Sequence, residues 1–152
     1  MPAYAQGGWG CCIVADFPPY WDTTITVLSK LSGKDSATKI DTWKKTALHG
    51  CFWKSVVQRA ISGTSVDVGQ SVVCRIPQTA GFKSYREWSQ NIADGFAISP
   101  GDYIVRGEIA ESIEAATVAA VVQKYRPDAF TVRAVSDNTR FGIIPHIRVE
   151  GV

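Results

Sequence analysis

Alternation of apolar and polar residues at period two runs through most of this chain. Residues 24–31 read TITVLSKL, and Ile25, Val27, Ser29 and Leu31 fall on one face, which predicts a half-buried strand. Ser32 to Ser36 (SGKDS) has the composition of a turn. Residues 38–53 read as the returning, longer strand, with Thr42, Trp43, Thr46, Leu48, Cys51, Phe52 and Trp53 as strand formers and Gly50 as a bulge or kink. Residues 54–68 are less decided: 54–61 are weakly periodic, and Ser62-Gly63-Thr64 reads as a turn. The run SVVCRI over 71–76 predicts a buried strand closed by Pro77. After a loop over 78–83, residues 85–92 suit a short helical turn or an irregular insertion, with Trp88 as the anchor. Pro100 and Gly101 then set a tight turn that launches Tyr103-Ile104-Val105.

The segment 110–126 is the one helical pattern of any length. Glu111 and Glu114 favour its first turn, Ile113, Ala116, Ala120 and Val121 share a face, and Pro127 stops it. FTVRAV over 130–135 alternates cleanly, 136–139 form a polar tip, and HIRVEGV over 146–152 makes a last strand. About six strands to one helix, spaced for hairpins and not for βαβ units, predict a mainly β fold. The expected architecture is a small β-barrel or β-sandwich over residues 23–152 with one appended α-helix at about 110–126. Residues 1–22 differ from the rest. Gly7, Gly8, Gly10, Pro18 and Pro19 oppose regular structure, while Tyr4, Trp9, Phe17, Tyr20 and Trp21 oppose a solvated tail. An extended arm that docks its aromatics on this subunit or on a neighbour reconciles the two.

Composition narrows the class. A chain of 152 residues with 45% hydrophobic and 20% charged residues can bury a core as one domain. Its net charge of +2 is too small to argue for nucleic acid, which takes clustered Lys and Arg. The densest basic group, Lys39, Lys44 and Lys45 around Asp41, reads as a solvated strand face. Cys11, Cys12, Cys51 and Cys74 contain no Cys-x-x-Cys pair and read as free thiols of a reducing cytosol. No apolar run approaches the roughly 20 residues that span a bilayer, so no membrane association is expected.

Candidate chemistry is sparse. His49 lies near Cys51, but the dyads of cysteine catalysis are spatial and not sequential. His146 has Asp128, Asp137 and Glu150 in no ligand spacing, and Gly7-Gly8-Trp9-Gly10 lacks the Lys-Ser/Thr ending of a phosphate loop. No catalytic, metal or cofactor-binding residue is assigned, and none of these patterns predicts an enzyme. The aromatic residues of the arm and loops are the candidate interface: Trp9, Phe17, Tyr20, Trp21, Phe82, Tyr85 and Trp88. A small nucleic-acid-binding barrel, which uses exposed aromatics and a basic groove, is the competing class.

Five segments in order carry a resemblance. They are ALHGCFW (47–53), SVVCRIP (71–77), ISPGDYIVRGE (98–108), FTVRAVSD (130–137) and HIRVEG (146–151). Together they resemble small structural proteins of the head–tail connector of tailed bacteriophages, the minor capsid or head-closure (stopper) proteins. In that family a Leu-x-Gly-x-x-Trp strand, a Val-rich strand ending in Ile-Pro, a Pro/Gly-Asp-x-Ile-Val-x-Gly strand and a final His-x-x-Val-Gly strand recur. The last segment here lacks the aromatic residue that often precedes the valine, and the arm matches nothing in the family. The resemblance implies a virion protein made in the host cytoplasm and placed in the neck. It would form a homo-oligomeric ring, a hexamer or dodecamer, joining portal or adaptor to tail, with another neck or tail-terminator role as the alternative. The loop over 78–96 and the arm would then meet neighbouring rings, and a lumenal loop would touch packaged DNA without reading its sequence.

Overall fold

The computed structural model describes residues 18–78, 81–140 and 144–152. Six strands are present: β1 (Thr23–Leu31), β2 (Thr42–Ser62), β3 (Ser65–Pro77), β4 (Tyr103–Arg106), β5 (Ala129–Asn138) and β6 (His146–Gly151). Two helices accompany them, α1 (Tyr85–Trp88) and α2 (Val118–Tyr125). The strands pair in the order β1-β2-β3-β6-β5-β4, and β4 returns to β1, so the sheet closes into a barrel. Every pairing is antiparallel. The fold is mainly β with a short helix, as the period-two pattern predicts.

Inward-facing residues from all six strands fill the barrel. Ile25, Val27, Cys51, Cys74, Ile76, Ile104, Phe130, Ile147 and Val149 form one buried cluster. β1 departs from the half-buried expectation, because Thr26 and Leu28 on its other face are also fully buried. The cause is the outer layer: Leu28, Val105 and Ala129 pack under Ile109, Val118 and Val122. A sheet face covered by a helix must be apolar on both sides. Thr26 Oγ1 donates to Gly107 O at 2.7 Å and Ser29 Oγ to Ala97 O at 2.6 Å, so these buried hydroxyls are satisfied.

The helix begins eight residues later than the sequence pattern suggests. Over 110–117 the chain crosses the sheet without a regular helix, which lets Ile109 enter the outer cluster. Lys45 Nζ donates to the carbonyls of Ile109 and Glu111, taking acceptors that helical N–H groups would otherwise use. Glu111 is therefore no first-turn dipole partner; its carboxylate pairs with Lys124 and accepts from Tyr125 at the far end of α2. The buried stripe is Val118 and Val122 at i, i+4, while Ala116 and Ala120 face solvent.

Gly50 has φ +74°, and β1–β2 pairing shifts register beside it, from Thr23↔Cys51 to Ile25↔Leu48. That is the anticipated bulge. Residues 54–68, undecided from sequence, are strand on both sides of a turn at Gly63 (φ +61°). They extend the β2–β3 hairpin well past the barrel wall.

Candidate interaction surface

The hairpin gains its length by outrunning its neighbours. β1 leaves β2 at Cys51, and β6 leaves β3 at Val72. Beyond both points the pairing continues from Val56↔Ser71 to Ser62↔Ser65 with both outer edges free of strand partners. Residues directly opposite one another in an antiparallel pair share a face, and every second pair shares it again. One face therefore carries Trp53, Ser55, Val57, Arg59 and Ile61 opposite Cys74, Val72, Gln70, Val68 and Val66. At the root this face is the barrel core: Cys74 is buried, and Trp53 packs edge-on against Phe130 at 5.3 Å. Past the root the same face stands in water. Val57 is 60% exposed, Ile61 77%, Val66 59% and Val68 66%. The opposite face carries Lys54, Gln58, Ser62, Ser65, Asp67 and Ser71, with Val56, Ala60 and Gly69 between them and Val73 buried at the root. The hairpin is thus amphipathic, and four of the large apolar side chains exposed among the described residues lie on one side of it.

An open cleft of about 300 Å³ sits at the root of the apolar face. Val72, Pro127, Ala129, Phe130 and Val152 supply its apolar wall, with Gln70 and Arg126 at the rim. Gln70 and Val72 belong to the hairpin face itself, so cleft and face form one continuous surface.

The aromatic residues singled out from sequence fall elsewhere. Trp9 and Phe17 lie outside the described residues. Tyr20 and Trp21 pack on Phe52 of the same chain, and Trp21 also meets His146 edge-on at 5.7 Å. Trp21 is buried while Tyr20 is 63% exposed. Phe82 packs on Phe96, and Tyr85 donates to Asp35 while accepting from the Ser32 N–H. Trp88 is fully buried with Leu31 and Ala97, so it belongs to the core and not to an outer surface. The hairpin face was missed because Val57, Arg59 and Ile61 are separated from Val66 and Val68 by a turn. The alternation on either side of Ser62-Gly63-Thr64 was the available signal.

The residues weighed for chemistry do not converge. Cys51 and Cys74 are free and buried, and burial pushes the Cys51 thiol up to about 12 and that of Cys74 well above its usual range. His49 Nδ1 lies 3.0 Å from Thr24 Oγ1, and His146 Nδ1 2.8 Å from Ile144 O. Among the described residues no group of three or more His, Cys, Asp or Glu is placed to hold a metal. No helix among them is long and apolar enough to cross a membrane. Lys44 and Lys45 donate to carbonyls of Gly95, Ile109 and Glu111, and Asp41 pairs with Lys30, so these members of the basic group tie strands to loops.

Asp102 lines a second open cleft with Lys30, Lys34 and Tyr85. Its carboxylate turns inward, accepting from Ser99 N at 2.9 Å and Lys30 N at 3.3 Å. Burial raises its pKa to about 6 despite these donors. The folded state then holds a proton that the unfolded chain, titrating near 3.8, releases earlier. Stability from this group is greatest below about pH 4 and falls as pH rises through 6, by about 3 kcal/mol in all. We expect the stability difference between the natural chain and Asp102→Asn to move by most of that amount between pH 4 and 7 in urea titrations. A difference that does not vary with pH refutes the assignment.

No curated protein and no solved structure matches the chain. Residues 20–152, which include all six strands and both helices, match the family of unknown function DUF6751, and the chain belongs to that family.

Proposed function

We propose that this protein is a structural component of a tailed-phage particle, a ring-forming member of the head–tail connector that joins portal or adaptor to tail. The observation that carries the reading is the β2–β3 hairpin. A two-stranded ribbon with free edges is marginally stable in water by itself, and this one also exposes an apolar face. Such an element is suited to burial against another polypeptide. The resemblance adds to it, since its five segments coincide with the root of β2, the end of β3, β4, β5 and β6. Buried, protonated thiols and dispersed carboxylates fit an assembly role.

The test is the particle. Quantitative mass spectrometry of virions purified from the phage that encodes the chain is expected to find it at a copy number set by neck symmetry. Disrupting its gene is expected to leave filled heads and free tails unjoined. Absence from purified virions, or infectious particles without it, overturns the reading.

A further inference from the structure

We propose that the hairpin tip, with Ile61 and Val66, seats in the root cleft of a second copy of this chain. The proposal rests on the assembly reading above and names the surface through which assembly proceeds. Ile61 and Val66 are cross-strand partners at the end of the hairpin, and Ile61 has the greatest exposure of the large apolar side chains described. They form an apolar knob next to the turn. The open cleft walled by Val72, Pro127, Ala129, Phe130 and Val152, with Gln70 and Arg126 also lining it, measures about 300 Å³, room for two such side chains.

A chain cannot use its own knob on its own hole. From the Ile61↔Val66 pair to the Ser55↔Val72 pair is six residues along an extended strand, about 20 Å at the usual rise. The hairpin cannot fold back across that distance without breaking its ladder. A second copy supplies the missing half of each contact. Area points the same way. Val57, Ile61, Val66 and Val68 together offer on the order of 400 Å² of apolar surface, a size at which patches mark interaction sites. A standard interface takes about 800 Å² per partner, so the occupant must cover more than the hairpin face alone, and the contiguous cleft provides that further area. The face carries one charge, Arg59, and the cleft one more, Arg126; against four exposed apolar side chains, two separated cations are too few to suit a polyanion, so an apolar occupant fits the surface better.

The contact is heterologous. The tip of one copy occupies the root of the next and leaves its own root for the preceding copy, an arrangement that closes into a ring when the rotation allows. The mean apolar face of the hairpin then lies along the neighbouring wall and is removed from water.

Native mass spectrometry and sedimentation of the full chain, compared with Ile61→Asp/Val66→Asp, test the proposal. Two carboxylates facing one another across the ladder repel, so Ile61→Lys/Val66→Glu, whose charges attract, is run beside it; both side chains are exposed, and this second variant should lose assembly equally while the thermal unfolding of the monomer is unchanged. The natural chain is expected to form a closed species of more than two copies. The double variant should need roughly a hundredfold higher concentration to assemble, or fail to assemble. A chain bearing Ile61→Cys and Val152→Cys, in a Cys11→Ser/Cys12→Ser background, should oxidise to a covalent ladder that stops at the ring size. A natural chain that stays monomeric at every concentration overturns the proposal. So does a double variant that assembles as well as the natural chain, or a ladder that stops at two. Assembly that persists in the double variant removes the hairpin contact but leaves the connector reading intact, because particle composition decides that reading separately.

Discussion

Gly151→Ala is expected to cost about 3 kcal/mol or more and to leave little folded protein at physiological temperature. Gly151 sits where three strands converge: it pairs with Val72 of β3 and with Val132 of β5. On β5 the register shifts between Val132 and Ala134, so an extra residue bulges there and draws the backbone of Thr131 toward β6. The chain continues past the strand with Thr131 N donating to Val152 O at 2.8 Å. A β-carbon on Gly151 would overlap the Thr131 carbonyl oxygen and Phe130 Cδ2, and would stand 2.8 Å from the Thr131 carbonyl carbon. Phe130 is fully buried in the barrel core, so neither neighbour has room to yield. Relief would require opening the β5–β6 ladder, which closes the barrel. The matched control is Gly69→Ala on the hairpin, where a β-carbon meets nothing within 4 Å. There we expect no loss, and a gain of up to about 1 kcal/mol from reduced backbone freedom. Urea denaturation followed by circular dichroism separates the two, and a stable, cooperatively folding Gly151→Ala protein would show that the strands do not converge as described.

Trp88→Ala carries the second large effect, about 3–5 kcal/mol. The loop from Gly81 to Ile98 covers one end of the barrel and has little regular structure of its own. Trp88 pins it: the indole is fully buried with Leu31 and Ala97, and Tyr85 and Ile92 pack around it. α1 exists to aim this side chain. Ser84 caps it, and the Trp88 N–H donates to Ser84 O at 2.9 Å. The ends of the loop are held by Phe82, Phe96 and Ile98 at the barrel core, and its other ties are polar: Ser29 Oγ to Ala97 O, Lys44 Nζ to Gly95 O, and the Lys83–Asp94 ion pair at the surface. Exposed pairs of that last kind contribute little by themselves, so the middle of the loop, between Phe82 and Phe96, is anchored chiefly by the indole. Removing it should accelerate amide exchange across the loop before the rest of the barrel is affected. Trp88→Phe should retain more than half of the lost stability, since the indole N–H has no acceptor among the described residues and an aromatic ring still fills the site. If Trp88→Ala lies within about 1 kcal/mol of the natural protein, the loop is held by something other than this side chain.

Much of the fold was legible before any coordinates. Local patterns carried it: TITVLSKL, SVVCRIP and FTVRAV became β1, the end of β3 and β5, because period-two alternation is a direct imprint of a sheet with a filled interior. Gly50 and Gly101 were readable as special positions, and both adopt positive φ. The start of α2 was not legible. Nothing local says that Lys45, some 64 residues away in sequence, takes the carbonyl of Ile109 and keeps the crossing segment open. Trp88 reads as an anchor and is one, but packed on Leu31 and Ala97 it has no surface left to offer an interface, a burial that depends on contacts distant in sequence.

Sequence by itself determined that the chain is mainly β with little helix, because alternation depends on residues close together along the chain, while the choice between barrel and sandwich rested on the β1–β4 pairing that closes the sheet. Only the tertiary structure decided which of those residues remain in water. Val57, Ile61, Val66 and Val68 have the composition of core strand residues, and in a shorter hairpin they would be core. They are exposed because β1 stops at its pairing with Cys51 and β6 at its pairing with Val72, so the inward face of the barrel continues outward with nothing beneath it. That length mismatch between neighbouring strands turns a core pattern into an interaction surface.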